Sequence, residues 1–145
     1  MKAVLQRVRR AEVRVKDKKI SEIGEGLLIL LGVKRGDTEE QARKLADECV
    51  NLRIFEDENG KFNRSLKDIK GEALVVSQFT LLADTSRGRR PSFSDAEEPE
   101  RAKALYEIFI DALKSFGIST KSGIFGERML VSLENNGPVT IILKQ

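Results

Sequence analysis

The chain of 145 residues contains no histidine. That absence excludes the Ser-His-Asp and Cys-His forms of nucleophilic catalysis, and any zinc site with an imidazole ligand. Its single cysteine, Cys49, excludes an intramolecular disulfide and a site of several thiolates, so the framework of a small disulfide-stapled secreted domain is missing. No apolar run approaches the roughly 20 residues of a membrane span. The opening MKAVLQRVRRAEVRV carries arginines where a signal peptide would need an unbroken apolar core. The expectation is a soluble, cytoplasmic protein that does not associate with membranes. No acidic cluster is spaced for magnesium. An enzyme of this composition has to work without imidazole or a soft metal.

Charge is present but balanced. Lysine and arginine number 26 against 23 acidic residues, a net of +3, which is too even to mark a nucleic-acid binder by bulk charge. The distribution says more. SRGRRPS brings Arg87, Arg89 and Arg90 within four positions, and Arg7, Arg9 and Arg10 cluster near the start. Either group could meet phosphates. Arginines flanking strands are equally ordinary on a protein surface.

The length suits one domain, residues 1–145, that buries roughly two thirds of the surface its unfolded chain would expose. Ala3, Leu5, Ala11, Val13 and Val15 alternate with period two, which predicts a strand or a bent hairpin over residues 2–15. GLLILLGV at 26–33 reads as a strand buried on both faces. The period then changes. Ala42, Leu45, Ala46, Cys49 and Val50 form a helical stripe behind a capping box from Thr38 to Gln41, which makes Cys49 a small buried hydrophobe with no base to activate it. LRIFEDENGKF reads as strand, Asn-Gly turn and return, and Ala73–Phe79 as another apolar strand. Pro99 opens a second helix, with a stripe of Leu105, Ile108, Phe109, Ala112, Leu113 and Phe116 and a stop at Gly117. Three strands are expected near residues 118–121, 128–134 and 139–143. The sum is an α/β fold of the α+β type: a single domain whose mainly antiparallel sheet is joined by two main helices.

Two stretches resist a purely structural reading. Ser77, Gln78 and Thr80 interrupt the apolar LVVSQFTLL, where burying three polar side chains is costly without partners. Alternation toward solvent is the plain alternative, but it would pair Ser77 with Phe79, or Gln78 with Thr80. In SLENNGPVTIILKQ, Asn135, Asn136 and Gly137 look like a hairpin turn, yet Pro138 stands where a returning strand would donate hydrogen bonds. A turn proline that starts a strand is one reading. A cis Gly137-Pro138 bond is the other, since only X-Pro bonds adopt cis at a cost of roughly 0.5 to 1 kcal/mol.

SQFTL at 77–81, GRRPSF at 88–93, FGERM at 125–129 and NNGPVTI at 135–141, with AVLQRV and NLRIFEDENGKFN, together resemble the D-aminoacyl-tRNA deacylases almost from end to end. The chain departs from many relatives at Asn136, where they carry Asp, and at Glu127-Arg128, where they carry Ala-Asp. The resemblance implies a sheet curled into a barrel-like arrangement, and an enzyme that hydrolyses the ester of D-aminoacyl-tRNA, with glycyl-tRNA(Ala) as a further substrate. It implies a homodimer that needs no cofactor and has its active sites at the subunit interface. By the same resemblance Ser77, Gln78, Phe79 and Thr80 form the catalytic segment, with backbone N–H groups around Gln78, Phe79 and Thr80 stabilising an oxyanion. Gly137 and Pro138 would exclude L substrates by projecting carbonyl oxygens into the partner's pocket. Arg7 would support their loop, and Arg89, Phe125 and Met129 would contact aminoacyl-tRNA. Two rivals stay open: a noncatalytic RNA-binding module, and a hydrolase that uses Thr80 as its nucleophile.

Overall fold

The computed structural model describes residues 1–145. Its long first strand, β1 (Lys2–Val15), is shared between two cores because its alternation slips once. Ala3 and Leu5 face the larger core, whereas Val8, Ala11 and Val13 face the smaller one. Arg7 and Val8 are both buried, and the pairing register shifts on either side of Val8. A bulge of this kind moves every later side chain to the opposite face, because the strand period is two.

Around β1 the sheet is built from β2 (Lys18–Ile23), β3 (Gly26–Gly32), β6 (Glu72–Ser77), β7 (Ser119–Ser122) and β8 (Leu130–Lys144), in the order β2-β1-β3-β6-β7 with β8 on the other edge of β1. β1 pairs antiparallel with β2, β3 and β8, whereas β3–β6 and β6–β7 are parallel. The continuous apolar runs of β3 and β6 fit this placement, since parallel strands are covered on both faces. Ser21 Oγ donates to Ser122 O at 2.9 Å and Lys121 Nζ to Glu22 O at 2.7 Å, so side chains bridge β2 to β7 and the sheet is nearly closed. A separate short hairpin joins β4 (Phe55–Glu56) to β5 (Phe62–Arg64). The Asp57 carboxylate accepts from Asn59 N and Lys61 N in its turn.

α1 (Glu39–Asn51) begins with the expected capping box: Gln41 N donates to Thr38 Oγ1 at 3.3 Å, and Thr38 N to Gln41 Oε1 at 2.8 Å. Its buried stripe is Ala42, Leu45, Ala46, Cys49 and Val50. Burial pushes the Cys49 thiol well above its usual range, so it remains protonated. α2 (Pro99–Ser115) starts with proline in its first turn and ends at Gly117, whose φ of +83° suits glycine. Both helices pack on the larger core, where Phe109 is fully buried. Truncating such a phenylalanine to alanine costs about 3 to 5 kcal/mol.

β8 corrects the reading of residues 128–143. Asn135-Asn136-Gly137 is no hairpin turn, because both halves of β8 pair with the same strand in the same direction. Leu130–Glu134 lie opposite Arg14–Arg10, and Thr140–Lys144 lie opposite Gln6–Lys2. Asn135 still lies opposite Val8, and residues 136–139 are looped out of a continuous strand. Asn135 makes this possible: its Oδ1 accepts from Val139 N at 2.8 Å and its Nδ2 donates to Thr140 Oγ1 at 3.1 Å, replacing ladder bonds lost at the bulge.

Candidate active site

The expected strand Ala73–Phe79 stops early, at Ser77. Gln78 N still donates to Leu31 O at 2.8 Å, but the chain then bends into a 3-10 turn over Phe79–Leu82, closed by Leu81 N to Gln78 O at 3.2 Å. The bend explains why Ser77, Gln78 and Thr80 fit neither face of a strand. Gln78 Nε2 donates to Thr80 Oγ1, so the two polar side chains satisfy each other at the tip. One expectation narrows here. The Gln78 N–H is committed to Leu31, whereas a 3-10 turn leaves the N–H groups of its leading residues, Phe79 and Thr80, without partners inside the turn.

Beside this turn lies a cavity of about 590 Å³. Ser77, Gln78 and Phe79 form one wall, and Phe125 and Met129 lie on another, so five of the residues singled out in the sequence meet at one place. Phe79 makes an edge contact with Phe93 from the GRRPSF stretch, ring centroids 5.1 Å apart at 72°. Phe125 is backed by Tyr106, with centroids 5.7 Å apart. The Tyr106 hydroxyl donates to Val75 O at 2.9 Å, and burial raises its pKa to about 12. Met129 packs close against Gly123, where a Cβ would meet its Sδ at 2.4 Å and force the side chain to shift.

Glu97 is a wall residue that sequence reading missed. Its side chain is only 8 % exposed, and its carboxylate accepts from Gly36 N at 3.0 Å and Glu98 N at 2.9 Å, with Arg101 Nε at 3.4 Å. The Gly36 and Glu98 amide bonds, with the nearby arginines, hold its pKa below the usual carboxylate range against the opposing effect of desolvation. It ties the turn after β3 to the start of α2, and Arg35, Glu98 and Pro99 from those segments also face the cavity. No three His, Cys, Asp or Glu side chains gather in a set that could hold a metal ion.

Thr80, Arg7, Arg89, Gly137 and Pro138 do not line this cavity. Gly137-Pro138 is a cis peptide at the β8 bulge, and Asn136, Gly137 and Pro138 are exposed. Arg7 underlies it: Nε donates to Asn136 O at 2.8 Å and Nη1 to Ile54 O at 2.8 Å, while the guanidinium lies 5.2 Å from the Phe62 ring centre. Phe62 and Ile54 were not singled out, because only the fold carries the β4–β5 hairpin to Arg7. Arg87, Arg89 and Arg90 are exposed on a loop pinned at its base by reciprocal backbone bonds between Asp84 and Ser92 at 2.8 and 2.9 Å.

Comparison with known proteins gives this arrangement its relatives. Residues 4–144 match the family model described as D-Tyr-tRNA(Tyr) deacylase. The chain is 58 % identical over 143 residues to a D-aminoacyl-tRNA deacylase of Aquifex aeolicus, covering 99 % of this chain and 97 % of that one. It is 61 % identical over 143 residues to one of Roseiflexus castenholzii, covering 99 % and 91 %. Among solved structures, the c-Myc DNA Unwinding Element Binding Protein superposes with a TM-score of 0.93 at 42 % identity, covering 100 % of this chain and 99 % of that one. A probable eukaryotic D-amino acid tRNA deacylase shares the fold, with a TM-score of 0.82 at 20 % identity over 98 % and 97 % of the two chains. The chain belongs to the D-aminoacyl-tRNA deacylases, a family of enzymes.

Proposed function

We propose that this family member hydrolyses the ester joining a D-amino acid to the terminal adenosine of tRNA, in a homodimer whose subunits complete each other's sites. Water adds to the ester carbonyl, the bond to the ribose oxygen breaks, and that oxygen takes up a proton, releasing D-amino acid and tRNA. The ester is already activated and the neighbouring ribose hydroxyl can assist, so positioning and oxyanion stabilisation are the main demands on the protein. The observation that carries the reading is the 3-10 turn at the cavity wall, with the leading N–H groups of Phe79 and Thr80 spared by the turn's own bonding. One such donor is worth about 10²-fold or more in rate.

Thr80 positions substrate in this reading rather than attacking it. Its hydroxyl is paired with the Gln78 amide, which is no base. Phe125 and Met129 contact the terminal nucleoside from the far side of the cavity, and Arg89 contacts tRNA phosphate.

Gly137 and Pro138 select handedness from the partner subunit by occupying the space an L side chain needs, so selection works by exclusion. Glycine has no side chain to exclude, and glycyl-tRNA is therefore cleaved as well. Two features support the dimer. The bulge lies outside its own chain's cavity. β8 pairs only with β1, leaving a 15-residue edge with Leu130 and Ile142 more than half exposed.

The test is ester loss from D-aminoacyl-tRNA by wild type and Thr80→Ala, with rapid acid quench. Turnover by wild type with no acyl-threonine trapped, and substantial activity in Thr80→Ala, are expected. An inert wild type, or an acyl-enzyme on Thr80, would overturn the assignment.

A further inference from the structure

We infer that Lys2 and Gly32, direct register partners on β1 and β3, form the seat that aims the Phe79–Leu82 turn, and that Lys2 is a positioning residue for deacylation. The inference rests on the reading of that turn as the oxyanion-binding element.

Three ties hold the turn to the ends of these strands. At its entry, Gln78 N donates to Leu31 O at 2.8 Å. Beneath it, Gly32 leaves room that no other residue would: a Cβ there would meet Leu82 Cδ2 at 2.6 Å, Gln78 O at 3.0 Å and Leu81 Cβ at 3.1 Å. The Leu82 contact could relax, because it is the end of a flexible side chain. The Gln78 carbonyl could not move freely, because it accepts the Leu81 N–H that closes the turn. At the far end, Lys2 Nζ donates to Leu81 O at 3.0 Å. An ammonium at the carbonyl end of a helical turn has the favourable sign for the turn's dipole.

The Phe79 and Thr80 N–H groups lie between these ties. Tilting the turn about its entry would swing both donors away from the ester oxygen while leaving the lining outside the turn, Ser77, Phe125 and Met129 among it, in place. Such a fault lowers kcat and spares substrate binding, because the donors act where charge develops in the transition state. Lys44 provides an internal contrast. It is exposed on α1, away from the turn and from β8, and its side chain makes no hydrogen bond or ion pair, so removing it changes net charge without touching the turn.

The experiment compares wild type, Lys2→Met, Lys2→Arg and Lys44→Met on D-aminoacyl-tRNA, measuring kcat, KM and thermal midpoint. Lys2→Met is expected to lose about tenfold or more in kcat, toward the ~10²-fold that a 1 Å misplacement can cost. Its KM and midpoint should stay near wild type, with most of the rate restored in Lys2→Arg and kcat unchanged in Lys44→Met. Gly32→Ala should fail in kcat in the same way if it folds. An active wild type with an equally active Lys2→Met would overturn the inference and leave the function intact. A kcat loss matched by Lys44→Met, or one that follows the melting midpoint, would also overturn it. An inactive wild type would remove the functional reading itself.

Discussion

Arg7 Nε donates to the carbonyl oxygen of Asn136 at 2.8 Å, tying the first strand to the bulge that carries Gly137 and Pro138 across 129 residues of sequence. The same guanidinium donates to Ile54 O, so one nearly buried side chain sets the height of the bulge above the β4–β5 hairpin. Arg7→Met should leave both carbonyls without this donor and cost about 2 to 3 kcal/mol, the scale of a charged hydrogen bond. Urea unfolding measures that loss. In deacylation assays the same variant should reject L-aminoacyl-tRNA less well if, as proposed, the loop it holds excludes L substrates. Unchanged chiral preference would separate Arg7 from selection.

Gly137 has a φ of +141°, and a Cβ there would meet Val139 Cγ2 at 2.8 Å and Val139 N at 3.1 Å. Gly137→Ala should therefore displace the bulge while leaving both cores untouched. The expected outcome is at least a tenfold fall in D-aminoacyl-tRNA turnover with a thermal midpoint close to wild type. Turnover equal to wild type would show that the bulge has no part in the reaction.

Glu97 links the cavity wall to pH. Its folded pKa lies below the ordinary value of 4.5, so its contribution is fully present above that value and is lost as pH falls through the folded pKa. Wild type should lose stability as pH falls below the ordinary carboxylate value of 4.5 more steeply than Glu97→Gln, measured by denaturant midpoint at each pH. Parallel curves for the two proteins would contradict the role of the carboxylate.

Arg89 is exposed on the pinned loop between Asp84 and Ser92. Arg89→Ala should weaken tRNA binding and reduce the slope of log affinity against log salt by about one, with D over L preference unchanged. Binding titrations at several salt concentrations decide this, and an unaltered slope would remove the phosphate contact.

Much of this architecture was legible in the chain, and what was not has physical causes. The capping box from Thr38 to Gln41, the stripe through Cys49 and the Pro99 start are local signals, and each lies where its spacing indicated. The end of β6 is hard to read because LVVSQFTLL is apolar on both sides of the bend, and the Gly32 gap that accommodates the turn lies on another strand. NNGP reads locally as a hairpin because nothing in those four residues reveals that both flanks pair with β1. Ser77 and Gln78 stand out by their polarity in an apolar run, Phe79, Phe125 and Met129 by resemblance, and all five meet in one cavity. Glu97 and Tyr106 look like ordinary helix-start and helix-stripe residues. Their hydrogen bonds to Gly36 and Val75 exist only once the sheet and α2 are assembled.

The most direct measurement incubates the purified protein with the same tRNA charged with the D form, the L form, and glycine, and follows ester loss over time. Rapid cleavage of the D ester and of glycyl-tRNA, with the L ester surviving at its spontaneous rate, is the predicted result. Equal cleavage of D and L esters, or cleavage of neither, would contradict it.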